Sequence, residues 1–216
     1  MLQMFHVKHC SRSIVEAIAD DLGLQVPSAR LQACSQLADW LAPAAAKLGL
    51  TQYDTGPAVM AKLMAPGLYL VRHMGDTLGR IAEIGPGSGA LGLGLSMLLP
   101  AADVTLLDRR RRVCAFLDLA IKRFELSNCH TLCVDMRGPT DGSHYDLVVA
   151  RAVASSAELF TVLPQFLAAD GAIALFQAAR PPEFPPELSQ VAHIATNLPE
   201  LWLDIYARPG GVSAAR

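Results

Sequence analysis

The spacing of apolar residues along the chain changes near residue 80. Over residues 1–79 apolar positions recur at helical intervals, and no alternation typical of a strand interrupts them. From Arg80 onward, short runs of valine, isoleucine and leucine alternate with segments long enough to be helices. Strand–helix alternation of this kind predicts an α/β fold with a doubly wound, parallel, Rossmann-like sheet. We therefore expect an N-terminal helical cap over residues 1–79 and a Rossmann-like domain over residues 80–216.

The same runs place the individual elements. Strands are predicted at residues 80–84, 103–107, 131–134, 146–150, 172–176 and 201–207. Helices are predicted at residues 14–22, 58–63, 69–78, 91–99, 113–124 and 157–167. A further, alanine-rich helix is expected between Pro27-Ser28, where it begins, and Gly49, where it ends.

One uncharged run comes close to the length of a membrane helix. Residues 84–102 carry no charged side chain, whereas a helix that spans a bilayer needs about 20 apolar residues. The run contains five glycines and two prolines, which a lipid-exposed helix tolerates poorly. It is therefore predicted to be the end of a strand, a ligand loop and a buried helix, and no membrane association is expected.

Composition and charge narrow the class of protein. Hydrophobic residues make up 52% of the 216-residue chain and charged residues 18%, which excludes intrinsic disorder. The formal net charge is −2, so a nucleic-acid partner would have to be held by a local basic patch. The five cysteines are irregularly spaced, and no metal site is predicted. With no apolar segment after the basic N-terminal residues, we expect a cytoplasmic protein with reduced thiols.

Three alternating glycines stand between the first predicted strand and the helix that follows it. They are Gly85, Gly87 and Gly89, and they let the chain turn sharply and let a ligand approach the bare backbone. Asp108 stands at the end of the next predicted strand, 23 residues after Gly85. A carboxylate at this position can accept hydrogen bonds from both ribose hydroxyls. The arrangement predicts a ligand that contains adenosine.

The residues around the glycines bear on which ligand that is. The spacing Gly85-x-Gly87-x-x-Ala90 also fits the fingerprint of dinucleotide-binding proteins, so NAD is an alternative. Glu83 precedes the glycines, and a carboxylate there suits the ammonium of S-adenosylmethionine better than a pyrophosphate. The loop also follows almost eighty helical residues, whereas dinucleotide domains more often begin close to it. The string Glu-x-Gly-x-Gly-x-Gly resembles the first motif of class I methyltransferases.

Three further segments narrow the resemblance. They are Arg72-His73-Met74-Gly75-Asp76-Thr77, Leu106-Leu107-Asp108 with the basic run that follows it, and residues 146–154 around Arg151. With the glycine loop they resemble the bacterial 16S ribosomal RNA guanine-N7 methyltransferase family, also called glucose-inhibited division protein B. The likeness covers roughly residues 70–176, and the chain is identified as a divergent member of that family.

The resemblance implies transfer of a methyl group from S-adenosylmethionine to guanine N7, with ribosomal RNA or the small ribosomal subunit as the partner. Asp108 would hold the ribose, and Met136 and Arg137 would flank the adenine. Gly85 and Ala90 would line the methionine end of the cofactor. Together, the glycine loop and the resemblance predict these cofactor-binding residues: Glu83, Gly85, Gly87, Gly89, Ala90, Asp108, Met136, Arg137 and Arg151.

Arginines carry most of the predicted contacts with the substrate. The resemblance places Arg151 at the floor of the pocket, where it would contact guanine O6, a phosphate or the cofactor carboxylate. The run from Arg109 to Arg112 opposes the dipole of the helix that it begins, which favours a phosphate-binding role. Guanine N7 already presents a lone pair, so no catalytic acid or base is predicted. The predicted substrate-binding residues are Arg72, His73, Asp76, Arg109 and Arg112.

The chain departs from the family's pattern at several positions. Leu91 stands where proline is usual, and Asp135 and Arg137 stand where an arginine and an acidic residue are usual. A lysine is missing near Gln177, and the family's Asn-Leu-Thr appears as Gly49-Leu50-Thr51. Two alternatives follow, namely a methyltransferase for a small molecule or a protein, and a cofactor- or RNA-binding relative without transfer activity.

Overall fold

The chain folds around one seven-stranded mixed sheet in the part that the structure describes. The structure is a computed structural model and describes residues 15–75, 78–138, 142, 144–151, 155–178 and 185–209. The strands are β1 Arg80–Ile84, β2 Asp103–Leu107, β3 Cys129–Leu132, β4 Tyr145–Arg151, β5 Leu167–Gln177, β6 Ser189–Ala195 and β7 Trp202–Ala207. The helices are α1 (residues 15–21 in its described part), α2 Ser28–Lys47, α3 Gly56–Val59, α4 Pro66–Met74, α5 Ala90–Leu98, α6 Arg111–Arg123 and α7 Ser156–Val162. A π-helical turn, Met60–Met64, continues α3, and a 3-10 turn, Leu163–Phe166, follows α7.

The order of the strands places a ligand-binding crevice in the middle of the sheet. That order is β3-β2-β1-β4-β5-β7-β6, in which the first five strands pair in parallel and β7 is antiparallel to both β5 and β6. After β3 the chain returns to pair β4 with β1, so the direction of winding reverses between these two strands. In open α/β sheets, ligands bind beyond the carboxyl ends of the strands at such a switch point.

Two hydrophobic clusters cover the two faces of the sheet. The larger cluster packs α2, α4, α5 and α6 against one face, with Leu41 of α2 and Leu106 of β2 fully buried in it. The smaller cluster lies on the other face and contains Phe160 of α7 and Tyr206 of β7, whose rings meet edge to face. Helices on both faces confirm the predicted doubly wound, Rossmann-like α/β fold. The division of the chain at residue 79 stays a prediction.

The uncharged run at residues 84–102 takes the form that its glycines and prolines predict. It contains the end of β1, the glycine loop and α5, in which only Met97 is more than marginally exposed. Among the described residues, no helix is long and apolar enough to cross a membrane. The apolar character of α5 therefore reflects burial between the sheet and the N-terminal helices.

Four features of the predicted fold are corrected by the structure. The sheet is not wholly parallel, because the unpredicted β6 pairs with β7 as an antiparallel hairpin at one edge. β3 occupies residues 129–132 rather than 131–134. The helix predicted at residues 157–167 ends at Val162, because Pro164 lacks a backbone N–H and its ring clashes with the preceding turn of an α-helix. β5 then begins at Leu167, five residues earlier than predicted.

Candidate functional site

The glycine loop joins β1 to α5 at the carboxyl edge of the sheet. Gly85, Gly87 and Gly89 have φ angles of 65°, 56° and 74°, a region that residues with a Cβ rarely adopt. The Gly85 N–H donates a hydrogen bond to the Leu107 carbonyl (2.8 Å), which fixes the loop against the end of β2. A Cβ on Gly89 would overlap the Leu117 side chain, so the loop also packs closely against α6.

A cavity of about 480 Å³ opens beyond this loop, within the size range of small-molecule sites. The predicted residues that line it are Glu83, Gly85, Gly87, Ala90, Asp108, Arg109, Met136, Arg137 and Arg151. Gly89 belongs to the loop but not to the lining. The structure thus brings residues from β1, β2, β4 and the segment after β3 to one place.

Glu83 is one of two buried carboxylates that line this cavity, with 4% of its surface exposed. Its Oε2 accepts a hydrogen bond from the Gly92 N–H in the first turn of α5 (2.8 Å). Burial raises the pKa of the Glu83 carboxyl to about 7, although this hydrogen bond and the charge of Arg151 act in the opposite direction. Its ionised form is therefore only partly compensated, and a cationic group in the cavity would stabilise it.

Arg151 supplies the opposite charge at the end of β4. Its Nη1 is buried and has no hydrogen-bond partner among the residues that the structure describes. Burial lowers the pKa of the guanidinium, while Tyr53 and Glu83 act in the opposite direction. A buried guanidinium N–H without a partner is best satisfied by an anion, for which a carboxylate has the matching geometry. Glu83 and Arg151 together suit a group that carries both charges, such as the amino-acid end of a ligand.

Asp108 directly follows β2 and is 5% exposed. Its Oδ1 accepts hydrogen bonds from the backbone N–H (2.9 Å) and Nε (3.0 Å) of Arg110, and its Oδ2 accepts one from Nη2 (2.8 Å). Burial acts to raise the pKa of Asp108, but the bonds and charge of Arg110 outweigh it and hold that pKa below its usual value. Arg110 lines the cavity and was not among the predicted site residues. Its signal in the sequence is the spacing, an arginine two residues after a carboxylate that ends a strand.

The segment after β3 is held in place by charged contacts. Arg137 reaches the first turn of α7, where its Nε lies 2.7 Å from Glu158 Oε1. Asp135 lies 3.7 Å from guanidinium nitrogens of both Arg109 and Arg137. Met136, between the two charged residues, is buried and lines the cavity. These contacts join the wall of the cavity to the start of α6 and to α7.

The N-terminal helical region closes one side of the cavity. Leu50, Thr51 and Leu63 line it, although none was predicted as a site residue. The first two belong to the segment that resembles the family's Asn-Leu-Thr, which was the available signal. The Arg112 guanidinium donates a hydrogen bond to the Leu48 carbonyl and so ties the start of α6 to this region. Arg112 itself is exposed and lies outside the cavity lining.

The structure does not bring Arg72 and His73 to this cavity. Both lie in the last turn of α4. Val71 of that turn lines a second cavity together with Leu98, which lies at the end of α5 opposite to the glycine loop. Asp76 lies outside the described residues. A role of these three residues in substrate binding stays a prediction.

The described part of the chain was searched for side chains that could form a metal site or a disulfide bond. No group of three or more histidine, cysteine or carboxylate side chains in that part could hold a metal ion. The cysteines that the structure describes are free thiols, namely Cys34, Cys114, Cys129 and Cys133.

Comparison with known proteins gives a consistent family. The family model for GidB, rRNA small subunit methyltransferase G, matches residues 30–190. The ribosomal RNA small subunit methyltransferase G of Roseiflexus castenholzii is 28% identical over 146 residues, covering 66% of this chain and 62% of the relative. That of Halorhodospira halophila is 31% identical over 138 residues, covering 60% of this chain and 66% of the relative. The chain thus spans about 60% of the length of the curated relatives it matches.

Solved structures agree on the fold. The mitomycin 7-O-methyltransferase is similar over 77% of this chain and 58% of its own, with a TM-score of 0.59 and 14% sequence identity. At that identity the likeness shows a shared class I methyltransferase fold and does not identify the ligand.

Proposed function

Because the chain belongs to the rRNA small subunit methyltransferase G family, we propose that it transfers a methyl group from S-adenosylmethionine to guanine N7 of 16S ribosomal RNA. The observation that carries the proposal is a pair of opposite charges beside a glycine loop in a cavity of about 480 Å³, namely the buried Glu83 carboxylate and the half-buried Arg151, whose Nη1 is buried without a partner. Membership in the family supports the proposed substrate, and the pair of charges supports the proposed cofactor.

The residues of the cavity fit S-adenosylmethionine group by group. Glu83 would accept hydrogen bonds from the ammonium of its methionine part, and the unpartnered Nη1 of Arg151 would donate to the carboxylate. Asp108 would accept hydrogen bonds from the ribose hydroxyls. Met136 and Arg137, which also line the cavity, would flank the adenine. NAD fits less well, since its pyrophosphate would meet the Glu83 carboxylate beside the glycine loop.

The chemistry requires positioning rather than proton transfer from this chain. When bound, S-adenosylmethionine supplies a methyl group on a positively charged sulfur. Guanine N7 attacks with its own lone pair, so the side chains of the cavity have to hold the reacting atoms in line about 3–3.5 Å apart. A guanidinium aimed at N7 would oppose the positive charge that forms on the base. Bonding of Arg151 to a carboxylate keeps its charge away from that position.

The exposed arginines at the start of α6 are the proposed contacts with the RNA. Arg109 is 63% exposed at the rim of the cavity, and Arg112 is exposed one turn farther along. Their charges would bind phosphates, which makes the affinity for RNA fall with rising salt concentration. Arg72 and His73 lie away from the cavity, so their proposed contacts would fall outside the target nucleotide. The small ribosomal subunit is the proposed partner, which implies a cytoplasmic location.

The test is methyl transfer from labelled S-adenosylmethionine to naked 16S RNA and to small subunits from a strain that lacks the modification. We expect label in RNA and N7-methylguanine at a single site, found by strand scission at the modified base. Arg151→Gln removes the positive charge of Arg151 from the cavity and should abolish transfer, whereas Lys122→Gln removes an exposed positive charge from the last turn of α6 and should retain it. If the protein binds S-adenosylhomocysteine but transfers no methyl group to RNA, the proposed substrate is wrong. If it does not bind S-adenosylhomocysteine, the proposed cofactor is wrong.

A further inference from the structure

The carboxylate proposed to hold the ribose already has a ligand from this chain. Three donors of Arg110 bond Asp108, two of them on Oδ1 and one on Oδ2. A carboxylate offers about four acceptor positions, so these bonds leave about one. Most of the hydrogen-bonding capacity of the Asp108 carboxylate is therefore already used by Arg110.

The ribose of a bound nucleoside would need more than the remaining position. Its two neighbouring hydroxyls both donate to the carboxylate at the end of the second strand in folds of this kind. At least one bond to Arg110 must therefore break when the proposed cofactor binds. The backbone N–H of Arg110 cannot move far, because it is fixed two residues from Asp108. The guanidinium is the group that can leave, since the Arg110 side chain is 55% exposed.

Other arginines surround Arg110 in the sequence at the start of α6. Arg110 caps the start of α6, between Arg109 and the exposed Arg111 and Arg112. While Arg110 is bonded to Asp108, the carboxylate neutralises its charge within this run. Once the guanidinium leaves, the run presents a further free cation at the rim of the cavity.

On the basis of the proposed function, we propose that Arg110 is a displaceable internal ligand of Asp108. The ribose of the cofactor takes its place, and the released guanidinium joins Arg109 and Arg112 in binding RNA phosphates. Cofactor binding then raises the affinity for RNA. By thermodynamic reciprocity, RNA raises the affinity for the cofactor by the same factor.

If the ribose displaces Arg110, the substitution Arg110→Gln should change the binding of both S-adenosylhomocysteine and RNA. Arg110→Gln removes the internal competitor, so S-adenosylhomocysteine should bind about three- to tenfold more tightly than to the wild type. The same variant should lose the dependence of RNA affinity on S-adenosylhomocysteine. In the wild type, saturating S-adenosylhomocysteine should strengthen binding of a 16S RNA fragment about three- to tenfold, with a salt slope steeper by about one phosphate contact.

Two further variants distinguish displacement of Arg110 by the ribose from a general effect of losing one positive charge. Arg111→Gln removes the same charge one residue away from an exposed position, and should weaken RNA binding while leaving the affinity for S-adenosylhomocysteine unchanged. Arg110→Lys keeps the charge but cannot bond both carboxylate oxygens in the manner of a guanidinium. It should bind S-adenosylhomocysteine more tightly than the wild type and still bind RNA. Calorimetry measures the first ligand, and fluorescence anisotropy of a labelled RNA fragment measures the second.

The proposal fails if Arg110→Gln binds S-adenosylhomocysteine as the wild type does or more weakly. It also fails if the RNA affinity of the wild type does not respond to S-adenosylhomocysteine. Both results are distinct from failure of the proposed function, in which the wild type binds no S-adenosylhomocysteine at all. Thermal unfolding of each variant confirms that the comparison is between folded proteins.

Discussion

Replacement of Glu83 by glutamine tests the buried charge at the centre of the candidate site. In the folded protein, burial raises the pKa of the Glu83 carboxyl from 4.5 to about 7. The folded chain therefore binds more protons than the unfolded chain between these two values. Stability must fall as the pH rises through this window and level off above it. Glutamine keeps a carbonyl that can accept the hydrogen bond of Gly92 but carries no charge.

The size of the effect follows from the two pKa values. One pH unit corresponds to about 1.4 kcal/mol, so the raised pKa of Glu83 costs about 3 kcal/mol of folding free energy at pH 8 and about 1 kcal/mol at pH 5. Burial of the glutamine amide adds a constant cost that does not change with pH. The difference in stability between Glu83→Gln and the wild type should therefore shift by about 2 kcal/mol, in favour of the variant, from pH 5 to pH 8. For a chain of this length, that is about 4–8 °C in Tm.

Urea denaturation without ligand at pH 5, 6, 7 and 8 measures this difference. Glu187→Gln, which replaces an exposed carboxylate, provides the control and should show no such trend. The same samples are then melted with saturating S-adenosylhomocysteine, which should stabilise the wild type and Glu187→Gln. It should stabilise Glu83→Gln much less, because the proposed partner of the ligand's ammonium is gone.

Two results would refute this reasoning. A stability difference between Glu83→Gln and the wild type that stays constant from pH 5 to pH 8 would show that Glu83 titrates alike in the folded and unfolded chains. A variant that gains stability with pH but is still stabilised fully by S-adenosylhomocysteine would remove Glu83 from the ammonium site.

Further predictions concern the packing of the fold and the rim of the cavity. Gly92→Ala should lose about 2–3 kcal/mol in urea denaturation, because the added Cβ would overlap the Glu83 carboxylate and Leu106. Gly94→Ala, in the same helix, should gain up to about 1 kcal/mol, because its Cβ would lie 3.5 Å from the nearest atom; equal effects would contradict both assignments. Asn128→Ala should lose about 1–3 kcal/mol, since its Nδ2 donates to three backbone carbonyls, and a neutral result would refute that role. Arg112→Gln should reduce the salt slope of RNA binding by about 1 without changing cofactor affinity, and an unchanged slope would exclude a phosphate contact.

The sequence predicted most of the sheet because its central strands are short runs rich in valine, isoleucine and leucine. β1 and β2 have the predicted bounds, and β4 differs from its prediction by one residue at each end. β6 escaped prediction because its residues alternate only between exposed and half-buried positions, so it has no apolar run. The early start of β5 was missed for a different reason. Its first residues follow the 3-10 turn at Pro164 and continue an apolar pattern that also fits a helix.

The candidate site was predictable where it depends on local sequence. The positions of Glu83 and Asp108 follow from strand ends beside a glycine loop, and both line the cavity. The contribution of Leu63 depends on how the N-terminal helices pack against the sheet, which no spacing in the sequence reveals. The contact of Arg110 with Asp108 was missed because the whole run from Arg109 to Arg112 was interpreted as phosphate-binding. One of these arginines instead folds back onto a carboxylate.

The charges of the cavity also indicate which end of the cofactor supplies the affinity. Burial raises the pKa of Glu83 and lowers that of Arg151, so both charges are poorly compensated in the free protein. A zwitterionic amino-acid group provides a partner for each at once. At the other end, Asp108 already has Arg110 as its partner, so the ribose would exchange one set of hydrogen bonds for another. Adenosine alone should therefore bind more than about a hundredfold more weakly than S-adenosylhomocysteine, since two charge-assisted contacts are lost. A calorimetric difference of less than about tenfold would place the binding energy at the adenosine end and refute this assignment.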